Sequence, residues 1–243
     1  ATGAILYGVS SLQAGTPLGL ARLERVAPAT TLSATPTGLG TKPATIALSV
    51  QDSGAGLARV SVALVQDGKP HTLVERSYEM GGVARDEFEL NVDPQAMRLH
   101  EGSASIEVSA TDHSLWANAA LTRREYPIDF TSPRAEPLTP QQNGTVGGAE
   151  LVVFRYKGRP LAAGGVESST GAFYSGLPLS AFDSTESFPS DTFFALFPIP
   201  YDFSPAKDSL RLAVKDDFGN TAEAPFNYRI APKSFPDVEM GMG

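Results

Sequence analysis

The stretch Asp208–Ile230, DSLRLAVKDDFGNTAEAPFNYRI, decides the fold. Leu210, Leu212 and Val214 alternate with charged or small residues, so an extended segment here carries one apolar face. Asp216-Asp217-Phe218-Gly219-Asn220 then supplies turn chemistry. Its carboxylates can cap their own backbone, and Gly and Asn tolerate positive φ. Alternation resumes through Ala222, Ala224, Phe226, Tyr228 and Ile230. The stretch predicts a β-hairpin that closes a sheet.

A second copy of the design lies about a hundred residues upstream, roughly one sandwich-length. Ile106, Val108 and Ala110 lead to Asp112, a loop ends at Asn118, and Ala120, Thr122, Tyr126 and Ile128 follow. Ahead of that hairpin, Ile46, Leu48 and Val50 alternate, then Val60, Val62 and Leu64, then Phe88, Leu90 and Val92. The turns Asp52–Leu57 and Gln66–Pro70 separate them, and Thr30–Leu39 reads as a leading edge strand. Short strands punctuated this often predict an immunoglobulin-like sandwich without its cysteine pair.

The polar, proline-containing run Thr131–Pro137 marks a boundary. Beyond it, Gln141–Thr145 reads as a turn and Leu151–Tyr156 as a strand. A long Gly-, Ser- and aromatic-rich stretch, 164–191, shows only fragments of alternation. Thr192–Tyr201 is apolar on both faces, which asks for cover on both sides, and 164–191 is the natural cover. The expected fold is all-β: two tandem immunoglobulin-like β-sandwiches, the second with a long aromatic-rich insertion. The expected division is an N-terminal extension 1–29, sandwiches over 30–133 and 134–235, and a tail 236–243.

Composition narrows the function classes. The 243 residues are 42% hydrophobic, ordinary for a folded chain, and 23 glycines with 19 prolines suit a fold of many turns. The net charge is −8, and no basic cluster exceeds Arg123-Arg124, which argues against nucleic acid and against anionic lipid. The absence of cysteine leaves no disulfide framework and no thiolate metal site. No apolar run is long enough to span a membrane. The opening Ala1–Ser10 lacks an initiator Met and a signal pattern, and reads as starting after a removed signal or anchor.

His71, His100 and His113 form neither His-x-His nor His-x-x-x-Asp, and each reads as a solvated or locally bonded side chain. Nucleophile elbow, Walker loop, dinucleotide fingerprint and zincin helix do not occur. Ser204-Pro-Ala-Lys207 matches Ser-x-x-Lys in form without a partner motif, and Asn143-Gly-Thr145 is better explained as turn chemistry than as a glycosylation site. Two features carry weighed alternatives. Asp52, Asp112, Asp216 and Asp217 sit in hairpin turns and either cap them or, gathered at one end of each sandwich, hold calcium. The aromatics between Phe173 and Phe203 are either core plus cover, or a docking or glycan surface whose members would be Phe173, Tyr174, Phe182 and Phe188.

Three segments together resemble a known region: ATIALSVQDSGAGLARVSVALVQDGK (44–69), SIEVSATDHSLWANAALTRREYPIDFTSPRAEP (105–137), and GAFYSGLPLS (171–180) with DTFFALFPIPYDFSPAKDSLRLAVKDDFGNTAEAPFNYRIAPKSF (191–235). The order is distinctive: two modules, the run Phe197-Pro-Ile-Pro-Tyr-Asp202, Ala224-Pro-Phe226, then an exit through Pro232, Lys233 and Phe235. This is similar to the N-terminal, non-catalytic region of membrane-anchored lysostaphin-type (LytM) zinc peptidases of bacterial cell envelopes. The resemblance implies a parent that cleaves peptidoglycan cross-links in the periplasm, anchored through a segment N-terminal to this chain. It implies zinc only in a downstream catalytic domain, so no catalytic, cofactor or metal residue is carried over. Its partners would be that peptidase domain or cell-wall components. An extracytoplasmic adhesin or carbohydrate-binding module is the alternative, and an enzyme in its own right would need a pocket the sequence does not advertise.

Overall fold

Alternation of apolar and polar side chains is what the sheets are built on. In a computed structural model describing residues 23–81, 83–182 and 188–234, the chain divides into two compact units, 1–130 and 131–243. In the first, β1 (Ala29–Leu32), β2 (Ala44–Gln51) and β5 (Arg85–Val92) form one antiparallel sheet. The facing sheet runs β4 (Lys69–Ser77), β3 (Leu57–Gln66), β6 (Gly102–Asp112), β7 (Ala119–Ile128). Ile46, Leu48, Val50 and Leu90 from one sheet meet Val60, Val62, Leu64, Ile106 and Val108 from the other in a core closed to solvent. Each such side chain contributes about 1.5–3 kcal/mol on burial. A one-residue slip of any strand would turn its whole row outward, so the alternation fixes the register.

In immunoglobulin lettering this is A-B-E facing C′-C-F-G. After leaving β1 the chain crosses over, and Leu39 pairs in parallel with Ile128 on the last strand. The leading edge strand expected over Thr30–Leu39 is therefore two contacts. Pairing with β2 stops at Leu32, and Leu39 then bridges to β7 of the facing sheet, with a cis Thr35–Pro36 bond between.

The second unit repeats the plan. β8 (Arg134–Pro137), β10 (Ala149–Lys157), β14 (Thr192–Pro198) and β13 (Leu177–Pro178) give A-B-E-D. β12 (Phe173–Ser175), β11 (Leu161–Ser168), β15 (Leu210–Asp216) and β16 (Thr221–Pro225) give C′-C-F-G. β9 (Gln142–Thr145) runs parallel to β17 (Tyr228–Ala231), the counterpart of the Leu39 crossing. Its core joins Val152, Phe154, Ala195 and Phe197 to Val166, Leu212 and Val214. Phe193 stacks on Phe154 at 5.8 Å and meets Tyr156 edge-on at 6.2 Å. The chain is thus all-β, two tandem Ig-like sandwiches; among the described residues the only helical element is the 3-10 turn Leu179–Phe182. No described helix is long and apolar enough to cross a membrane.

Two local expectations change. Gln141–Thr145 is largely a strand rather than a turn. Gly144 serves close packing there: a Cβ on it would lie 2.3 Å from Ile199 Cδ1 and 2.9 Å from Glu150 Cγ. In the stretch 164–191, β11 is a central strand whose alternation is hidden because Gly164 and Gly165 occupy buried positions. A Cβ on Gly165 would come within 2.0 Å of the Tyr174 carbonyl oxygen. The connection between C′ and E is the longer part: 78–84 in the first unit, 176–191 in the second.

Candidate functional site

The B–C turn, the 78–84 connection and the F–G loop gather at one end of the first unit. Asp52 Oδ2 accepts from the backbone N–H of Gly54 (3.2 Å) and Gly56 (2.6 Å), closing the B–C turn. Gly56 is needed at φ +81°, where an L side chain is strained and would press on the Val83 carbonyl. Asp112 closes the F–G loop. Its Oδ1 accepts from Ser114 N (3.0 Å), Ser114 Oγ (2.7 Å) and Asn118 N (2.9 Å), and its Oδ2 from Asn118 Nδ2 (2.8 Å). His113 ties the loops together: its N–H donates to Gly56 O and its Nε2 to Tyr78 O at 3.0 Å.

The segment before β1 lies across this end. Asn118 Nδ2 donates to the carbonyls of Glu24 and Val26, and Glu24 Oε1 accepts from Ala55 N. Glu24, Asp52 and Asp112 each bring a carboxylate oxygen within 4.8 Å of the others, and the two aspartates are buried (4% and 2% exposed). Oxygen donors at this spacing suit a hard cation such as calcium, which takes six to eight of them. Three carboxylates supply part of such a shell, and most of their hydrogen bonds already hold loop N–H groups. Loop closure is the role those contacts support.

The sequence placed Asp52, Asp112, Asp216 and Asp217 in one class. The structure joins Asp52 to Asp112 and separates the other two. Asp216 caps its own turn, while Asp217 Oδ1 pairs with Arg159 Nε at 3.0 Å. Arg159 comes from the B–C turn of the second unit, the position that provides Asp52 in the first. It also sits 3.5 Å over the Phe218 ring, which is buried. The same end is therefore acidic in one unit and clamped by a cation in the other. Tyr156 donates its hydroxyl to Arg159 O (2.6 Å), and burial followed by the Asp216 and Asp217 carboxylates pushes its pKa up to about 12.

The F–G loops differ in length under the same Asp…Asn clamp: Asp216…Asn220 against Asp112…Asn118. The longer loop exposes Leu115 (63%) and Trp116 (47%), with the Arg25 guanidinium 4.7 Å over the indole. Ala117 holds φ +46° to turn the loop back. Sequence reasoning missed Glu24, which lies in no motif. It also missed Leu115-Trp116, although an apolar pair between a turn Asp and its Asn was a readable signal.

On the second unit, Phe173 is exposed at the edge strand β12 while its neighbour Tyr174 turns inward against the core. Adjacent strand residues point to opposite faces, so these two cannot share a platform. Phe188 is exposed, and Phe182 ends the 3-10 turn with its side chain outside the described ones. Phe193, Phe197 and Phe203 belong to or pack on the core. The second face of β14 is partly bare: Phe194 is buried, but Leu196 and its cross-strand partner Leu151 are exposed. Leu177 pairs with Phe194 on the same face, and Leu138, hydrogen-bonded to Val153, extends the strip at its other side.

Of the histidines, His100 is exposed, and its pKa is raised by its bond to the Glu101 carbonyl and then by Asp67. The three do not gather with one another among the described contacts.

No family model and no curated protein matches this chain. Among solved structures it is similar to a chimeric titin Z1Z2 tandem at 14% identity, covering 82% of this chain and 95% of that one, TM-score 0.26. It is also similar to a tetra-tandem repeat from the extending region of a large adhesion protein (13%, 83% and 50%, TM-score 0.32) and to the ICAM-5 D1–D4 ectodomain (14%, 83% and 54%, TM-score 0.31). This chain spans about half the length of the last two. The class is set by strand order: a tandem Ig-like β-sandwich region.

Proposed function

We propose that this chain is the non-catalytic, extracytoplasmic region of a peptidoglycan-directed zinc metallopeptidase, a spacer that also docks or occludes the downstream catalytic domain. The observation that supports its docking part is the strip on the outer face of the second unit, where Leu151 and Leu196 stand opposite each other at 41% and 60% exposure; the parent is what the sequence resemblance implies. Leu138 and Leu177 extend that strip. A paired apolar row on a sheet face marks an interaction surface, since single scattered side chains are normal and a contiguous strip is not. The order of modules seen in the sequence gives the occupant: a domain tethered beyond β17. Zinc belongs to that domain and none to this chain.

The test uses the full-length parent. Leu151→Asp with Leu196→Asp should change its rate of cell-wall hydrolysis, upward if the strip occludes. A rate unchanged both by that pair and by deletion of 134–235 overturns the docking role. The exposed Phe173 and Phe188 favour a second reading, an adhesin or wall-binding module. It predicts that the isolated chain binds peptidoglycan sacculi and that Phe173→Ala weakens the binding.

A further inference from the structure

Among the described residues of the first unit, every large apolar side chain left exposed lies towards one end: Leu23, Val26, Met80, Leu115, Trp116 and Leu121. Leu23 and Val26 precede β1, whose first residue pairs with the end of β2 at Gln51. Met80 is in the 78–84 connection, Leu115 and Trp116 form the F–G apex, and Leu121 is the third residue of β7. At the opposite end, Met97 and Leu99 pack on the core, and the Gln66–Lys69 turn carries only polar residues and glycine. Scattered exposure needs no explanation, but segregation to one end does.

We infer that this end of the first unit seats in the headgroup layer of an electrically neutral lipid bilayer. The apolar groups come from loop apices and a leading segment, a form that presses into a soft interface. Indole is the side chain best suited to that layer, apolar in body with a polar N–H. Arg25 beside it can keep its stem with the indole and its guanidinium at phosphate level. Charge chooses the lipid. Glu24, Asp52 and Asp112 gather their carboxylates at this end and the chain carries −8, so an anionic surface repels it. The two-residue extension of the F–G loop over its counterpart, held by the same clamp and a left-handed Ala117, presents Leu115 and Trp116 already in place. This reading is independent of the docking strip on the second unit.

The chain has one tryptophan, so its fluorescence reports this end alone. The full chain is titrated with phosphatidylcholine vesicles. Trp116 emission should move to shorter wavelength, acrylamide quenching should fall, and the protein should co-sediment. Leu115→Asp and, on a separate loop, Met80→Asp should each weaken partitioning about tenfold or more while circular dichroism stays native. Phosphatidylglycerol-rich vesicles should bind less. Emission unmoved at millimolar lipid overturns the inference. So does co-sedimentation without a Trp116 response, binding that survives both variants, or stronger binding to the anionic vesicles.

Discussion

Asp216 and Asn220 are joined twice, by the Asn220 backbone N–H to Oδ1 at 2.8 Å and by its Nδ2 to Oδ2 at 3.0 Å. Phe218 N adds a third bond to the same carboxylate, and both ends of the clamp are shut off from solvent. A buried carboxylate accepting three N–H groups organises the loop more than any of the loop's apolar contacts can, because losing it strands all three donors at once. Asp216→Ala should cost about 3 kcal/mol or more, and Asp216→Asn, which keeps one acceptor oxygen, clearly less. Urea unfolding followed by circular dichroism measures both. In the first unit Asp112→Ala should lower the transition seen through Trp116 in the same way.

Glu24 tests what the three gathered carboxylates do. Glu24→Gln keeps an acceptor for Ala55 N and removes one of three like charges, so the Trp116-monitored midpoint should rise by about 0.5 kcal/mol. Millimolar calcium should leave the melting temperature of the native chain unchanged. A calcium-dependent rise abolished in Glu24→Gln would instead make the cluster a cation site.

Tyr126 is 1% exposed, and its hydroxyl has no hydrogen-bond partner among the described residues. Burial raises its pKa, as expected where the phenolate would be desolvated. Tyr126→Phe removes an unsatisfied buried group and keeps the ring under the Arg124 guanidinium, 5.1 Å away. Stability should rise by about 1 kcal/mol, read from denaturant midpoints.

Tyr156 gives the alkaline limb. An unfolded tyrosine ionises near pH 10, and the folded one at about 12. The contribution of the neutral phenol is whole below about pH 10 and is lost as pH rises towards 12, because the unfolded chain releases its proton first. Tyr156→Phe, which also forfeits the bond to Arg159 O, should be less stable than the native chain at neutral pH. That deficit should shrink between about pH 10 and 12, checked by urea midpoints together with absorbance at the phenolate band.

The hairpins were legible because strand alternation is local. Leu210, Leu212 and Val214 on β15 and Ile106, Val108 and Ala110 on β6 all point inward as their spacing requires. β11 was harder to see, since glycine carries no hydropathy and Gly164 and Gly165 are chosen for close approach to β12 and β15. β9 was misread for a related reason: glycine and asparagine signal turns, yet Gly144 makes room for Ile199 and Glu150. At the candidate site, the turn aspartates were readable one by one. Their grouping was not, because Asp52, Asp112 and Glu24 come from three separate segments.

What the sequence determined alone is the repeated plan: inward rows, Asp-led turns, and the Asp…Asn frame of each F–G loop. These depend on side-chain period and on bonds spanning a few residues. Only the tertiary structure decided that one unit closes the same end with Arg159 over Phe218 while the other gathers Glu24, Asp52 and Asp112 there and leaves Leu115 and Trp116 exposed. That choice rests on which residues are brought side by side by strands distant in the chain, and no local spacing encodes it.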